Sequence, residues 1–351
     1  MLSIAIPLYN KRQFIEKTIE SCIHTCTLFS IEHEIVITNN ASTDASNVEL
    51  DILAAKHQNC RVIHLPHTIS VGDNWLFALN NTKGTYLKLL LADDLMPVYD
   101  PNKAINLIMN SPADYAIGIT NPVFEAKGFQ TNYIELVNTF RKQLNPDLSA
   151  AQKAAMISEH IAHSSNPFGD IGALMFHRKC LGSLNLGVQA SLPAFTIFPD
   201  LDIYLTLFAN HSGAFLDETV SFYVFNDTSP AVRRETGSDA KLRGMYTEYE
   251  VTMPLHFLTA LKMNPIVEHL SQEQKQLFLS AIQDHAAHLL GFSNIPSSDS
   301  SSMEANVLSN SLLWRLRTLV TRFARYLCRR FGEAGSEGCK TLINMHRDNK
   351  R

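Results

Sequence analysis

An α/β fold on a mostly parallel sheet is what this sequence predicts, and three observations predict it. Short apolar runs rich in branched residues alternate with longer segments of helical periodicity. The first run, "LSIAIPLY", is apolar almost throughout, as a strand covered on both faces should be. Polar clusters follow the early runs, at the strand ends where a parallel sheet binds its ligands.

Taken in order, "LSIAIPLY" is a strand in which Ile4 and Ile6 supply branched side chains, with Pro7 and Asn10 ending it. "KRQFIEKTIESCIHTC" follows as an amphipathic helix, because Phe14, Ile15, Ile19, Cys22, Ile23 and Cys26 recur at helical spacing. The segment "EIVIT" is a second strand, "NNASTDAS" a turn, and residues 47–57 a helix. "RVIHL" is a third strand, and after the polar "PHTISVGDN" a helix runs from about Trp75 to Asn81. "TYLKLLLADDLMP" is a fourth strand that ends in two carboxylates. Further on come a helix near 102–109, a strand "YAIGIT", a helix near 150–162 and a strand in "GDIGALMFHR".

The 351 residues fit one large α/β domain with an appendage, or two domains. With 45% hydrophobic and 18% charged residues the chain is globular, which excludes wholesale disorder. Six cysteines with no CxxC pair point to a reducing, cytoplasmic setting. The start shows neither the basic region nor the apolar run of a signal peptide, and the longest uncharged run is too broken to span a bilayer. The net charge of −4 is unevenly spread, since residues 305–351 hold ten Lys and Arg against Glu333, Glu337 and Asp348. An acidic body argues against nucleic acid as a partner, and the basic end points to an anionic membrane surface.

Asp93 and Asp94, directly after "YLKLLL", are adjacent hard oxygen ligands at the mouth of the sheet, suited to Mg²⁺ or Mn²⁺ bridging a diphosphate. An isolated "DD" can equally be a strand-end turn. The fourteen histidines lack zinc spacing, so "CIHTC" and the pair His285 and His288 read as packing or helix surface. Trp75 suits either stacking on a ligand or the core.

Four ordered segments carry a resemblance: "SIAIPLYN", "EIVITNNASTDAS", "VGDNWLFALNNTKGTYLKLLLADDL", and "GALMFHRKC" followed by "FPDLDIYL". Together they resemble family-2 glycosyltransferases, inverting enzymes of the Rossmann-like GT-A fold. The resemblance implies a metal-dependent transferase taking a nucleotide-sugar donor, first of all a UDP-sugar, and a saccharide or lipid-linked saccharide acceptor for a surface glycan. It places the nucleotide against Pro7, Tyr9 and Asn10, the base against Asn39 and Asn40, and the diphosphate near Gly72, Asn74, Ala92 and Asp93. Asp93 matches the metal-ligating aspartate with Asp94 beside it, while Leu91 stands where the first acid of "DxDD" often lies. Asp200 matches the catalytic base of the usual "ED" pair, with Pro199 in the glutamate's place. Asp202 competes for that role or binds acceptor with Asp170, and Gly172 allows a substrate close approach. Asn226, Arg233 or Arg234 stand where relatives have groups near the diphosphate.

These segments divide the chain into a catalytic domain at 1–230 (nucleotide half 1–97, acceptor half 98–230), a helical extension at 231–292, a linker at 293–302 and a basic C-terminal helix and tail at 303–351. That helix, "LLWRLRTLVTRFARYLCRRF", matches either an interfacial helix on anionic lipid or one packed on protein. Two rivals share the architecture. A sugar nucleotidyltransferase should show a glycine-rich basic loop after the first strand, where "PLYNKRQF" has no glycine. An inactive glycan- or nucleotide-binding scaffold accommodates Asn39, Asn40, Leu91 and Pro199, and donor turnover separates it from an enzyme.

Overall fold

The computed structural model describes residues 1–45, 47–124, 133–162, 166–184, 199–225 and 271. The described strands are β1 (Leu2–Leu8), β2 (His33–Asn39), β3 (Cys60–His64), β4 (Tyr86–Leu89), β5 (Tyr115–Phe124), β6 (Leu174–His177) and β7 (Gly213–Phe225). The helices are α1 (Arg12–Leu28), α2 (Asn47–Ala55), α3 (Val71–Asn80), α4 (Pro101–Met109), α5 (Tyr133–Arg141), α6 (Ala150–Ala162) and α7 (Pro199–Asn210). One sheet runs in the order β3-β2-β1-β4-β6-β5-β7. Its first four members are parallel, β6 runs antiparallel to both β4 and β5, and β7 pairs parallel with β5.

Every residue of β1 is buried, which is why its sequence is continuous rather than alternating. Pro7 is tolerated in this central strand because pairing with β4 stops at Ala5 and Leu89, so no ladder bond on that side needs its missing N–H. At the opposite end of the sheet, Ser3 Oγ donates to Glu34 (2.6 Å) and accepts from Gly84 N (2.7 Å). Glu34 also accepts from Lys83 N, and these bonds hold its carboxyl below the ordinary range against the opposing effect of burial. Helix α1 buries Ile15, Thr18, Ile19, Cys22, Thr25 and Cys26, the apolar stripe expected from its spacing, while His24 is exposed. The described cysteines are all free thiols, and Trp75 lies in the core.

The mostly parallel sheet is as expected, with β6 entering between β4 and β5 in the opposite sense. Two sequence expectations change. The fourth strand stops at Leu89, so the acidic pair sits in a loop beyond it. Helix α3 starts at Val71 instead of Trp75, because Ser70 caps it by accepting from Asp73 N (3.1 Å) and donating to the Asp73 carboxylate (2.6 Å). Strand β7 and helix α5 had no counterpart in the sequence reading. The helical extension, linker and basic helix lie outside the described residues, as do Asn226, Arg233, Arg234, His285 and His288.

Candidate active site

The loops leaving β1 and β2 are stitched to each other at the carboxyl edge of the sheet. Asn10 takes a left-handed backbone (φ 51°), its N–H donates to Ser42 Oγ (3.1 Å), and its Oδ1 accepts from Thr43 N (2.8 Å). Asp44 then accepts from Arg12 N (2.8 Å), so it caps α1 across the gap and not the helix that follows it in sequence. Ala41 also sits at positive φ (51°), a conformation that costs a residue with a Cβ. Tyr9, half exposed at 49%, presents its ring at this edge beside buried Pro7.

Asn39 and Asn40 end β2 almost fully buried. Asn39 Oδ1 accepts from Ser42 N (3.0 Å), and its Nδ2 donates to Asn47 Oδ1 (3.2 Å) and His64 Nδ1 (3.1 Å). With Nδ1 accepting, His64 carries its proton on Nε2 and donates to Asp51 (3.0 Å). Asn40 closes on Ile69, accepting from its N–H (2.8 Å) and donating to its carbonyl (3.0 Å). Both amides are thus engaged by protein partners. Gly72 and Asn74, expected in a loop, lie in the first turn of α3. Asn74 is buried with Oδ1 lacking a hydrogen-bond partner among the described residues.

The acidic loop is gripped from beneath by hydroxyls of α1. Thr18 Oγ1 donates to Ala92 O (2.9 Å), Thr25 Oγ1 donates to Pro97 O (2.9 Å), and Ser21 Oγ accepts from Met96 N (3.1 Å). Within this loop the two carboxylates part company. Asp93 Oδ2 receives the ammonium of Lys11 at 2.5 Å, with both side chains mostly shielded. Asp94 is 1% exposed, accepts from Val224 N (3.0 Å) through Oδ1, and leaves Oδ2 without a hydrogen-bond partner among the described residues. Burial, then Asp170 and Asp93, push the Asp94 carboxyl well above the ordinary range and favour its protonated form. The cover comes from β7, where Leu95 and Phe222 exchange backbone hydrogen bonds of 3.0 and 2.8 Å.

These contacts test the loop for a divalent cation. Asp93 fits as one hard oxygen ligand at the rim, the kind that suffices for Mg²⁺ or Mn²⁺ when a diphosphate supplies others. Asp94 is buried and tied through Oδ1 to Val224 N of β7, which leaves Oδ2 as its one remaining oxygen. Among the described residues no three acidic, His or Cys side chains gather into a ready metal cage.

On the other side of β4 a second group of charges is buried. Lys88, in the middle of the apolar strand, donates to Gly172 O, and burial lowers its ammonium to about 8 against the opposing pull of Asp170. Asp170 Oδ2 accepts from Ser221 Oγ (3.1 Å). Its carbonyl accepts from Tyr204 Oη (2.6 Å) and Arg141 Nη2 (3.2 Å). Arg141 is fully buried and also holds Phe168 O (2.7 Å), Gly118 O (3.0 Å) and Thr120 Oγ1 (3.2 Å), binding the 166–172 segment to β5. Gly172 is needed for this packing, since a Cβ there would overlap Ser221 Oγ and Asp170 Oδ2. The close approach it permits is therefore made by the protein's own side chains and not by a substrate.

Asp200 and Asp202 both lie in the first turn of α7, and Asp202 is 2% exposed. Asn166 Nδ2 donates to Asp200 (3.3 Å). Burial first, then Asp170 and Asp202, raise the Asp200 carboxyl to about 7. Asp170 acts electrostatically on both Asp94 and Asp200 and so lies between the two sides of the site.

Residues 3–167 match the model of Glycosyl transferase family 2. This segment, just under half of the chain, is similar to family 2 glycosyltransferases. An abequosyltransferase of Salmonella typhimurium is 25% identical over 149 residues, which is 42% of this chain and 42% of that relative. The matched part therefore spans less than half of the relative's length. Among solved structures, S. aureus TarS 1-349 in complex with UDP-GlcNAc superposes with a TM-score of 0.50 at 13% identity, covering 99% of this chain and 92% of that one. A mannosyltransferase from Pyrobaculum calidifontis in complex with GDP-Man and Mn²⁺ gives 0.49 at 13% identity over 100% and 88%. The chain has the α/β GT-A fold of the TarS structure. Among the described residues no helix is long and apolar enough to cross a membrane.

Sequence reasoning missed Lys11, Thr18, Lys88, Arg141, Asn166 and Ser221. Only Lys88 carried a legible signal, as the one charge inside "YLKLLL". The others acquire their roles from residues 21 to 82 positions away.

Proposed function

We propose that the chain is an inverting glycosyltransferase that moves a sugar from a nucleotide diphosphate donor to a saccharide acceptor. The observation that carries this reading is Asp200, a carboxyl in the first turn of α7 that burial, then Asp170 and Asp202, raise to about 7 and to which Asn166 donates. A general base works best when its pKa lies near the operating pH. The acceptor hydroxyl gives its proton to Asp200 as its oxygen attacks the anomeric carbon. A new carbon–oxygen bond forms, the bond from that carbon to the diphosphate breaks, and the diphosphate leaves with the electron pair. Attack opposite the leaving group inverts the anomeric configuration.

On the donor side, Tyr9 offers its exposed ring as a stacking face, and Asn74 offers the buried acceptor left open on α3. Asp93 would hold a Mg²⁺ or Mn²⁺ ion, which when bound neutralises the departing diphosphate. Asp170, fixed by Arg141, Tyr204 and Ser221, lines the acceptor side with Asp202 as the alternative base. A UDP-sugar is the first donor to test. The abequosyltransferase likeness adds abequosyl transfer to the panel.

The experiment is turnover of a nucleotide-sugar panel by the full chain with saccharide acceptors, following release of nucleoside diphosphate and the anomeric proton of the product. Inverted product that is lost in Asp200→Asn supports the reading. Retained configuration, or donor binding with no turnover on any acceptor, favours the inactive scaffold or another mechanism.

A further inference from the structure

We infer that Lys11 is an exchangeable counter-ion: it occupies Asp93 in the resting protein and passes to the donor diphosphate on binding, so that a divalent cation gains Asp93 only together with the nucleotide. This rests on the donor reading above. Lys11 Nζ and Asp93 Oδ2 lie 2.5 Å apart although the residues are 82 positions apart, with side-chain exposures of 20% and 16%. A pair this shielded is little screened by salt. The backbone of Lys11 is fixed on both sides, by the pinned left-handed Asn10 before it and by Phe14 N and Ile15 N, which donate to its carbonyl (3.1 and 3.2 Å). Its side chain runs past the Phe14 ring, whose centroid lies 5.5 Å from the ammonium.

The exchange follows from charge. The loop's other carboxyl, Asp94, is 1% exposed and bound through Oδ1 to Val224 N of β7, so a metal ion and the ammonium compete for the one carboxylate at the rim. Placing a dication on Asp93 with Lys11 unmoved would set like charges within a few ångströms. A diphosphate resolves the conflict, because its oxygens can take the ammonium while also ligating the metal.

The test measures binding rather than turnover. Mn²⁺ alone is titrated into the full chain and followed by the electron paramagnetic resonance signal of the free ion, then again with UDP, CDP or GDP, whichever binds the unmodified protein. The unmodified chain should bind Mn²⁺ weakly alone and strongly with nucleotide. Lys11→Met should bind Mn²⁺ alone about tenfold more tightly, the scale on which one adjacent opposite charge shifts a carboxylate equilibrium. It should also bind the nucleotide in Mn²⁺ about tenfold more weakly, while Lys11→Arg restores the coupling. Should Lys11→Met misfold by circular dichroism, Lys11→Gln takes its place. Equal Mn²⁺ affinity in the variant and unmodified proteins, with nucleotide binding intact, overturns the exchange and leaves the donor reading standing. Failure of the unmodified chain to bind any nucleotide diphosphate overturns both.

Discussion

The side-chain amide of Asn40 grips the backbone of Ile69 from both sides, accepting from its N–H at 2.8 Å and donating to its carbonyl at 3.0 Å. This fastens the segment that precedes α3 to the end of β2. Asn40→Asp would set a carboxylate oxygen against the Ile69 carbonyl in a buried place. The expected loss is about 1–3 kcal/mol of stability, read from denaturant midpoints at unchanged slope. A neutral outcome would mean that the amide contributes little to holding this segment.

Ala41 holds a left-handed backbone at φ 51°, where its Cβ crowds the following carbonyl. Relief of about 1–2 kcal/mol of strain outweighs the roughly 0.5–1 kcal/mol that glycine's freedom adds to the unfolded chain. Ala41→Gly should therefore raise the midpoint of thermal unfolding by a few degrees. A lowered midpoint would show the strain to be absent.

Gly172 is wedged between Ser221 and Asp170. Gly172→Ala should destabilise by about 1–3 kcal/mol through overpacking, and adding Ser221→Gly should recover part of the loss. Additive losses in the double variant would rule out this contact as the cause.

Asp200 should govern the pH dependence of transfer. The base acts only when ionised, so the rate should rise with pH and level off above about 7. Asp200→Asn should lower the rate roughly 10²- to 10⁴-fold and remove that step, with donor affinity little changed. Normal rates in Asp200→Asn with collapse in Asp202→Asn would move the base two residues along.

The same carboxyl should mark stability. Its folded-state pKa lies above the unfolded value of about 3.9, so the folded protein binds the extra proton between these limits. Its stabilising contribution is complete below about pH 4 and is lost as pH rises through about 7. Asp200→Asn should flatten that part of the stability curve measured by urea unfolding. An unchanged curve would mean that Asp200 titrates as an ordinary surface carboxyl.

What the sequence determined by itself was the strand–helix alternation and the gathering of polar clusters at the carboxyl ends of the strands. Those are local matters: apolar runs report burial on both faces, periodicity reports helices, and a short segment can carry a resemblance. Tertiary structure decided which groups are available. Asn39 and Asn40 look like a base-reading pair in "TNNAS", yet their partners Asn47, His64 and Ile69 come from other elements. "DD" looks like two equivalent ligands until β7 closes over Asp94 and Lys11 reaches Asp93. The neighbours responsible lie up to 130 positions away. Burial and charge pairing depend on such distant neighbours, and periodicity along the chain does not report them.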